Sequence, residues 1–148
     1  MTDQAPALLT KSFELGYTYT RSTGPVIGRF LTELREGRIV GTRTSDGRVL
    51  VPAAEYDPVS AEALTEFVPV SDEGVVTTWS WVAEPISHHL LRTPFAFALI
   101  RLDGADVGML HMVDAGSESA MRTGMRVRAR WAAERRGSIT DIACFEPV

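Results

Sequence analysis

Phe95-Ala96-Phe97-Ala98-Leu99-Ile100-Arg101-Leu102 is a run of strand formers closed by Asp103-Gly104. It is apolar on both faces through Ile100, the pattern of a strand covered on both sides. Asp-Gly tolerates the positive φ of a tight turn, so the chain reverses there. On the N-terminal side, Val75-Val76-Thr77-Thr78-Trp79-Ser80-Trp81-Val82 is a second long β-rich run, stopped by Glu84-Pro85. Its odd positions, Val75, Thr77, Trp79 and Trp81, are expected to form the bulkier face. Phe67–Val70 leads into it through the turn Asp72-Glu73-Gly74. On the C-terminal side, Val107–Val113 reads as a strand and residues 114–121 are small and polar, with room for one helical turn. Met125–Trp131 then alternates strictly, and Ile139–Phe145 is a last strand after Arg136-Gly137. Three strands, a short connector and two more strands, joined by tight turns, predict a five-stranded OB-fold barrel.

Upstream the texture differs. Thr23 or Gly24 can cap a helix, Pro25 suits its first position, and Ile27, Phe30, Leu31 and Leu34 share one face. A helix over 25–36 is expected, ended by Gly37. Arg38–Arg43, the turn Ser45-Asp46-Gly47 and Arg48–Val51 predict a hairpin that Pro52 stops. Residues 52–63 read as an irregular connector, and 1–22 as a polar, weakly patterned, flexible arm. The expected division is therefore an arm at 1–22, helix plus hairpin at 23–63, and barrel at 64–148. The fold class is mainly β with an N-terminal helix.

The chain has 148 residues, with 45% hydrophobic and 23% charged side chains, enough to build one ordinary core without staples. No apolar run approaches the ~20 residues of a membrane helix. Met1–Thr10 shows no basic cluster ahead of an apolar run, so no signal peptide is read, and a cytoplasmic protein is expected. Cys144 is the single cysteine, which excludes an internal disulfide and a cysteine zinc site. A net charge of −4 argues against a general nucleic-acid binder, leaving room for a local basic patch.

Taken in order, Gly24–Leu31, Gly47–Pro52, Pro94–Ala105 and Gly124–Ala129 resemble a known family. It is the zinc-ribbon/OB-fold family of accessory proteins that accompany thiolase-like enzymes. The resemblance implies a helix, a rubredoxin-like ribbon and an OB barrel. It also implies a non-catalytic subunit that binds a thiolase or a sterol-carrier-protein-thiolase-type aldolase acting on acyl-coenzyme A thioesters. The chain is more similar to a metal-free branch, tied to retro-aldol cleavage in steroid side-chain degradation, than to the zinc-bearing one. The positions that match the zinc cysteines are Arg43, Asp46, Tyr56 and Val59. A structural zinc needs four nitrogen or sulfur donors, so no zinc is expected. The degenerate ribbon would be held by packing alone, with Tyr56 and Val51 as replacement core.

Arg126, Arg128 and Arg130 share the outer face of their strand. They are read as a solvated barrel face, as contacts for coenzyme A phosphates or acidic partner residues, or as a groove for single-stranded nucleic acid, the least favoured. Trp79 and Trp81 are core or a partner interface. The helix face Ile27, Phe30, Leu31 and Leu34 either folds back on the barrel or docks on a partner, and docking is favoured. His111 reads as a satisfied, partly buried histidine, Cys144 as a small buried hydrophobe, and no catalytic residue is expected.

Overall fold

The computed structural model describes residues 10–148. Residues 1–9 of the expected flexible arm lie outside the described residues. The helix is α1 (Gly24–Arg35). The strands are β1 (Ile39–Arg43), β2 (Val49–Leu50), β3 (Phe67–Val70), β4 (Glu73–Val82), β5 (Phe95–Leu102), β6 (Met109–Val113), β7 (Arg126–Trp131) and β8 (Ile142–Pro147), with single 3-10 turns at Glu118–Ala120 and Ile139–Asp141. Strands β4 to β8 close into a barrel in the order β4-β5-β6-β8-β7, with β4 returning to β7. All the neighbours are antiparallel except β6 and β8, which meet in parallel at Val113 and Phe145. This is the OB-fold expected from the strand order.

Closure depends on Gly74, which pairs with Leu102 of β5 and with Val127 of β7. A Cβ there would lie 2.5 Å from the Arg101 carbonyl oxygen, so only glycine lets β4 curl against both neighbours. A bulge between Val76 and Thr78 then shifts the register of β4 by one residue. Val76 points into the barrel before the bulge, and Trp79 and Trp81 pack on the core after it. The expected face of Val75, Thr77, Trp79 and Trp81 is thus split, because a bulge reverses side-chain parity without any change in sequence pattern.

β3 does not belong to the barrel. It pairs with β1, from Ile39↔Val70 to Thr42↔Phe67, and completes a sheet ordered β2-β1-β3. The expected division between residues 63 and 64 therefore falls ahead of a strand that serves the small sheet. Gly41 makes that sheet possible, because a Cβ there would sit 2.6 Å from the Leu50 carbonyl oxygen.

The helix starts one residue before the expected position, at Gly24, and Gly37 ends it with φ of +73°. Val26, Phe30 and Leu34 are buried, and Leu31 packs beside them, in the same core as Val51 of the ribbon and Ile100 and Val127 of the barrel. Arg135 Nε donates to the Arg35 carbonyl oxygen at 3.0 Å, fastening the helix end to the loop after β7. The favoured docking of this face on a partner is therefore corrected: Phe30 and Leu34 are consumed by the chain's own core. Ile27 alone of the expected face remains largely exposed.

The ribbon is held by a salt bridge as well as by packing. Arg48 donates from Nε to Asp46 Oδ2 at 2.8 Å and from Nη2 to Asp57 at 3.2 and 3.3 Å. One guanidinium thereby ties together the loop between β1 and β2 and the loop around Asp57. Asp57, only 3% exposed, also accepts the Val59 amide at 2.9 Å and the Ser60 hydroxyl at 3.2 Å. Arg43, Asp46, Tyr56 and Val59 do not make a zinc donor set. Val51 is buried as expected, but Tyr56 is 61% exposed and is no part of a replacement core.

Two outcomes follow from these contacts. Leu34→Ala should lower the unfolding free energy by about 2–5 kcal/mol in denaturant titration, the loss for a fully buried leucine; a change below ~1 kcal/mol would mean the helix is not part of the core. Asp46 is held down to about 2, first by the Thr44 hydroxyl and then by Arg48, and Asp57 is lowered first by the Val59 amide. Depressed carboxylates stabilise the fold above their ordinary value near 3.8 and lose that contribution as pH falls through the folded value. Stability should therefore decline from about pH 4 towards pH 2, and Asp46→Asn with Asp57→Asn should make that decline shallower in acid titrations followed by circular dichroism.

Candidate partner-binding face

The outer surface of the barrel divides into a charged side and an apolar side. On the charged side, alternation along β7 buries Val127 and Ala129 and turns Arg126, Arg128 and Arg130 outward. Each guanidinium meets carboxylates from neighbouring strands. Arg126 is bidentate to Asp103 at 2.8 and 2.7 Å and reaches Glu73 at 3.1 Å. Arg128 Nε donates to Glu73 at 2.8 Å, and Arg130 bridges Glu146 and Asp114, both at 3.1 Å. Arg128 and Arg126 lower the Glu73 carboxyl below its usual range, and Arg126 lowers Asp103. Three cations thus face four anions, Glu73, Asp103, Asp114 and Glu146.

Arg126, Arg128 and Arg130, the expected coenzyme A contacts, therefore stand at the surface already paired with carboxylates. A phosphate would have to displace carboxylates already in hydrogen-bond geometry. The nucleic-acid reading meets the same obstacle. It also needs exposed stacking platforms, whereas Trp79 and Trp81 are half-buried against the interior core, with Trp79 also lining a hollow beside Phe97 and Leu110.

The apolar side is built by β5 and β6. Their register sets Leu99 directly opposite Leu110 and Phe97 opposite Met112 on the outer face. Part of this face is covered: Phe95, Met112 and Cys144 form a small buried cluster beneath Val82, Leu91 and Phe97. His89 stands edge-on to Phe95 and Phe97, at 5.1 and 5.7 Å between ring centroids. Beyond this roof the covering stops. Leu99 is 37% exposed and Leu110 62% exposed. Two shallow hollows adjoin here, of about 190 and 230 Å³, and share Phe97 and Leu110. Leu90 and Ile139 rim the first, and Thr78 and Ser80 line the second.

The individual residues of this face were not singled out from sequence. The signal was present, because the two-sided apolar pattern of Phe95–Ile100 calls for a cover on both faces. The chain supplies only part of one.

Residues 67–132 match the family described as ChsH2, C-terminal OB-fold domain. The chain is 28% identical over 102 residues to a DUF35 domain-containing scaffold protein of Pyrococcus furiosus, covering 68% of this chain and 74% of that one. Among solved structures, the Ltp2-ChsH2(DUF35) aldolase covers 86% of this chain and 98% of its own, with a TM-score of 0.63 and 15% identity. A DUF35-family protein of unknown function from Sulfolobus solfataricus covers 68% of this chain and 74% of its own, with a TM-score of 0.55 and 23% identity. At these identities the two structures establish a shared fold.

Within the OB-fold domain His111, Asp141 and Cys144 are buried. His111 pairs across to Ala98, is buried, and stands edge-on to Phe145 at 5.5 Å. Its Nδ1 finds no hydrogen-bond partner among the described residues, so it is not the satisfied histidine expected from sequence. Burial pushes its pKa below the usual histidine value. Asp141 serves structure, accepting the amides of Arg136, Gly137 and Ser138 at 2.9, 2.8 and 3.1 Å. No group of three or more histidine, cysteine, aspartate or glutamate side chains that could hold a metal occurs among the described residues. No helix among them is long and apolar enough to cross a membrane.

Cys144 is buried, and burial pushes its thiol up to about 11. The folded protein at pH 8 should therefore react with an aromatic disulfide reagent far more slowly than the urea-unfolded chain, by about a hundredfold or more, since only the thiolate attacks. Equal rates in the two states would show an accessible thiolate.

Proposed function

We propose that the chain is a non-catalytic accessory subunit that docks on a thiolase-like aldolase and leaves the bond-breaking chemistry to it. The observation that carries this reading is the uncovered Leu99–Leu110 face. Exposed apolar side chains beside apolar hollows are the surface on which a partner can bury area. The kind of partner is supported by the similar structure named an aldolase of Ltp2 with ChsH2(DUF35), and by the scaffold naming of the Pyrococcus furiosus relative.

The finer reading is that the partner acts on an acyl-coenzyme A thioester and shortens a steroid side chain. It is supported by the resemblance of the sequence to the metal-free branch. In retro-aldol cleavage a base takes the proton of a β-hydroxyl group, the Cα–Cβ bond breaks to leave a carbonyl compound and a thioester enolate, and the enolate is then protonated. In this proposal the partner supplies the base and the acid. The present chain keeps the partner's acyl site in shape. In this reading Arg126, Arg128 and Arg130 meet coenzyme A phosphates by exchanging carboxylate partners, since each guanidinium is already paired at the surface.

Leu99→Asp with Leu110→Asp tests the docking face. Co-purification with a thiolase-like aldolase, followed by titration calorimetry, should show affinity weakened by about tenfold or more. The isolated variant should remain folded with stability lowered by about 1–3 kcal/mol, because the two aspartates face each other across β5 and β6. Unchanged affinity would remove the face from the proposal. Failure of the unaltered chain to associate with such an aldolase at micromolar concentration would remove the proposal itself.

A further inference from the structure

The arm ahead of α1 carries a pattern that its polar composition conceals. Phe13, Leu15, Tyr17 and Tyr19 alternate with Glu14, Gly16 and Thr18, the period of a strand with one apolar face. All four apolar side chains are 76–83% exposed, and the rings of Tyr17 and Tyr19 lie on one side, 6.3 Å apart. Residues 10–22 have neither helix nor strand. Among the described residues, none of their amides or carbonyls makes a backbone hydrogen bond. An exposed apolar face and a row of unsatisfied backbone groups are the two halves of a strand without its sheet.

We propose that residues 12–20 form a β-strand that adds to an open sheet edge of the partner subunit, with Phe13, Leu15, Tyr17 and Tyr19 seated in apolar pockets spaced two residues apart. The inference rests on the accessory-subunit reading and names how that subunit is gripped. Strand addition takes affinity from main-chain hydrogen bonds and specificity from alternate side chains, and the arm offers both.

A second copy of this chain is a poorer acceptor. Its barrel closes on itself. Where β6 diverges from β8, Ile139 and Thr140 of the nearby 3-10 turn line the same hollow as His111 and Met112. In the small sheet, the outward side of β2 is already bonded. Val49 N–H donates to Asp106 Oδ2 at 2.7 Å, and the Asp106 amide donates to the Val49 carbonyl oxygen at 3.0 Å. At β3, the Arg43 amide donates to the Glu66 carbonyl oxygen, which sets the register and turns Phe67 and Pro69 outward. Proline has no N–H to offer. No edge is left for a nine-residue strand, so the acceptor belongs to another kind of chain.

The experiment uses the full chain and the thiolase-like aldolase that co-purifies with it. Hydrogen–deuterium exchange should show slowed amides within 13–19 in the complex and fast ones in the isolated chain. Leu15→Pro with Tyr17→Pro removes two donors from a segment that makes no contact with the core, and should weaken binding by about tenfold or more without changing stability. Tyr17→Phe should bind as well as the unaltered chain. Fast exchange across 13–19 inside a complex that does form, or full affinity in the double-proline variant, overturns the strand and leaves the docking proposal standing. Protection of the same amides in the isolated chain, accompanied by a dimer mass, assigns the arm to a second copy and overturns it as well. No complex with the unaltered chain fells both proposals together.

Discussion

The closure of β4 onto both β5 and β7 at Gly74 governs the rest of the molecule. Once the sheet is a cylinder, each side chain is sorted to one of two environments, and each must be accommodated there. Inside, Val76, Ile100, Leu102, Val127 and Phe145 fill the space. Outside, the two sides are treated differently. Around the seam between β4 and β7, arginines and carboxylates from separate strands neutralise one another. Exposed pairs of this sort contribute little each, but they leave Arg126, Arg128 and Arg130 paired. Across β5 and β6 the outer face is apolar and only partly roofed. The asymmetry points to where another molecule belongs.

The small sheet solves a different problem. Three strands and a helix are thin for an independent unit. Two devices compensate. Phe30, Leu34 and Val51 join the barrel's core, so helix, ribbon and barrel stand together. Arg48 bridges Asp46 and Asp57 across the two loops. A buried carboxylate is tolerable because its lone pairs are also taken by the Val59 amide and the Ser60 hydroxyl.

Strand order, turns and the helix face were legible in the sequence because they are local. Asp103-Gly104 and Ser45-Asp46-Gly47 mark reversals within a few residues, and Ile27, Phe30, Leu31 and Leu34 mark one face by spacing alone. What that face meets is not local, and the expectation of a partner was wrong for Phe30 and Leu34. The bulge after Val76 leaves no trace in hydrophobic pattern, so the parity of Trp79 and Trp81 was mistaken for that of Val75 and Thr77. The arginine stripe was read correctly as one face of a strand. Its neutralisation by Asp103 and Glu73, 23 and 53 residues from Arg126, is a fact of topology. The arm escaped notice because Lys11, Ser12, Glu14 and Thr18 make its composition polar, while its period is that of a strand.

Pro69 and Asp106 block the small sheet's margins, and this has a bearing on how copies of the chain behave when crowded. A polypeptide that carries both a sticky strand and a vacant edge is a monomer for open-ended, head-to-tail growth. This one carries the donor and has dismantled the receptor. Any assembly it enters through that segment is capped at a fixed size and cannot run on into fibres.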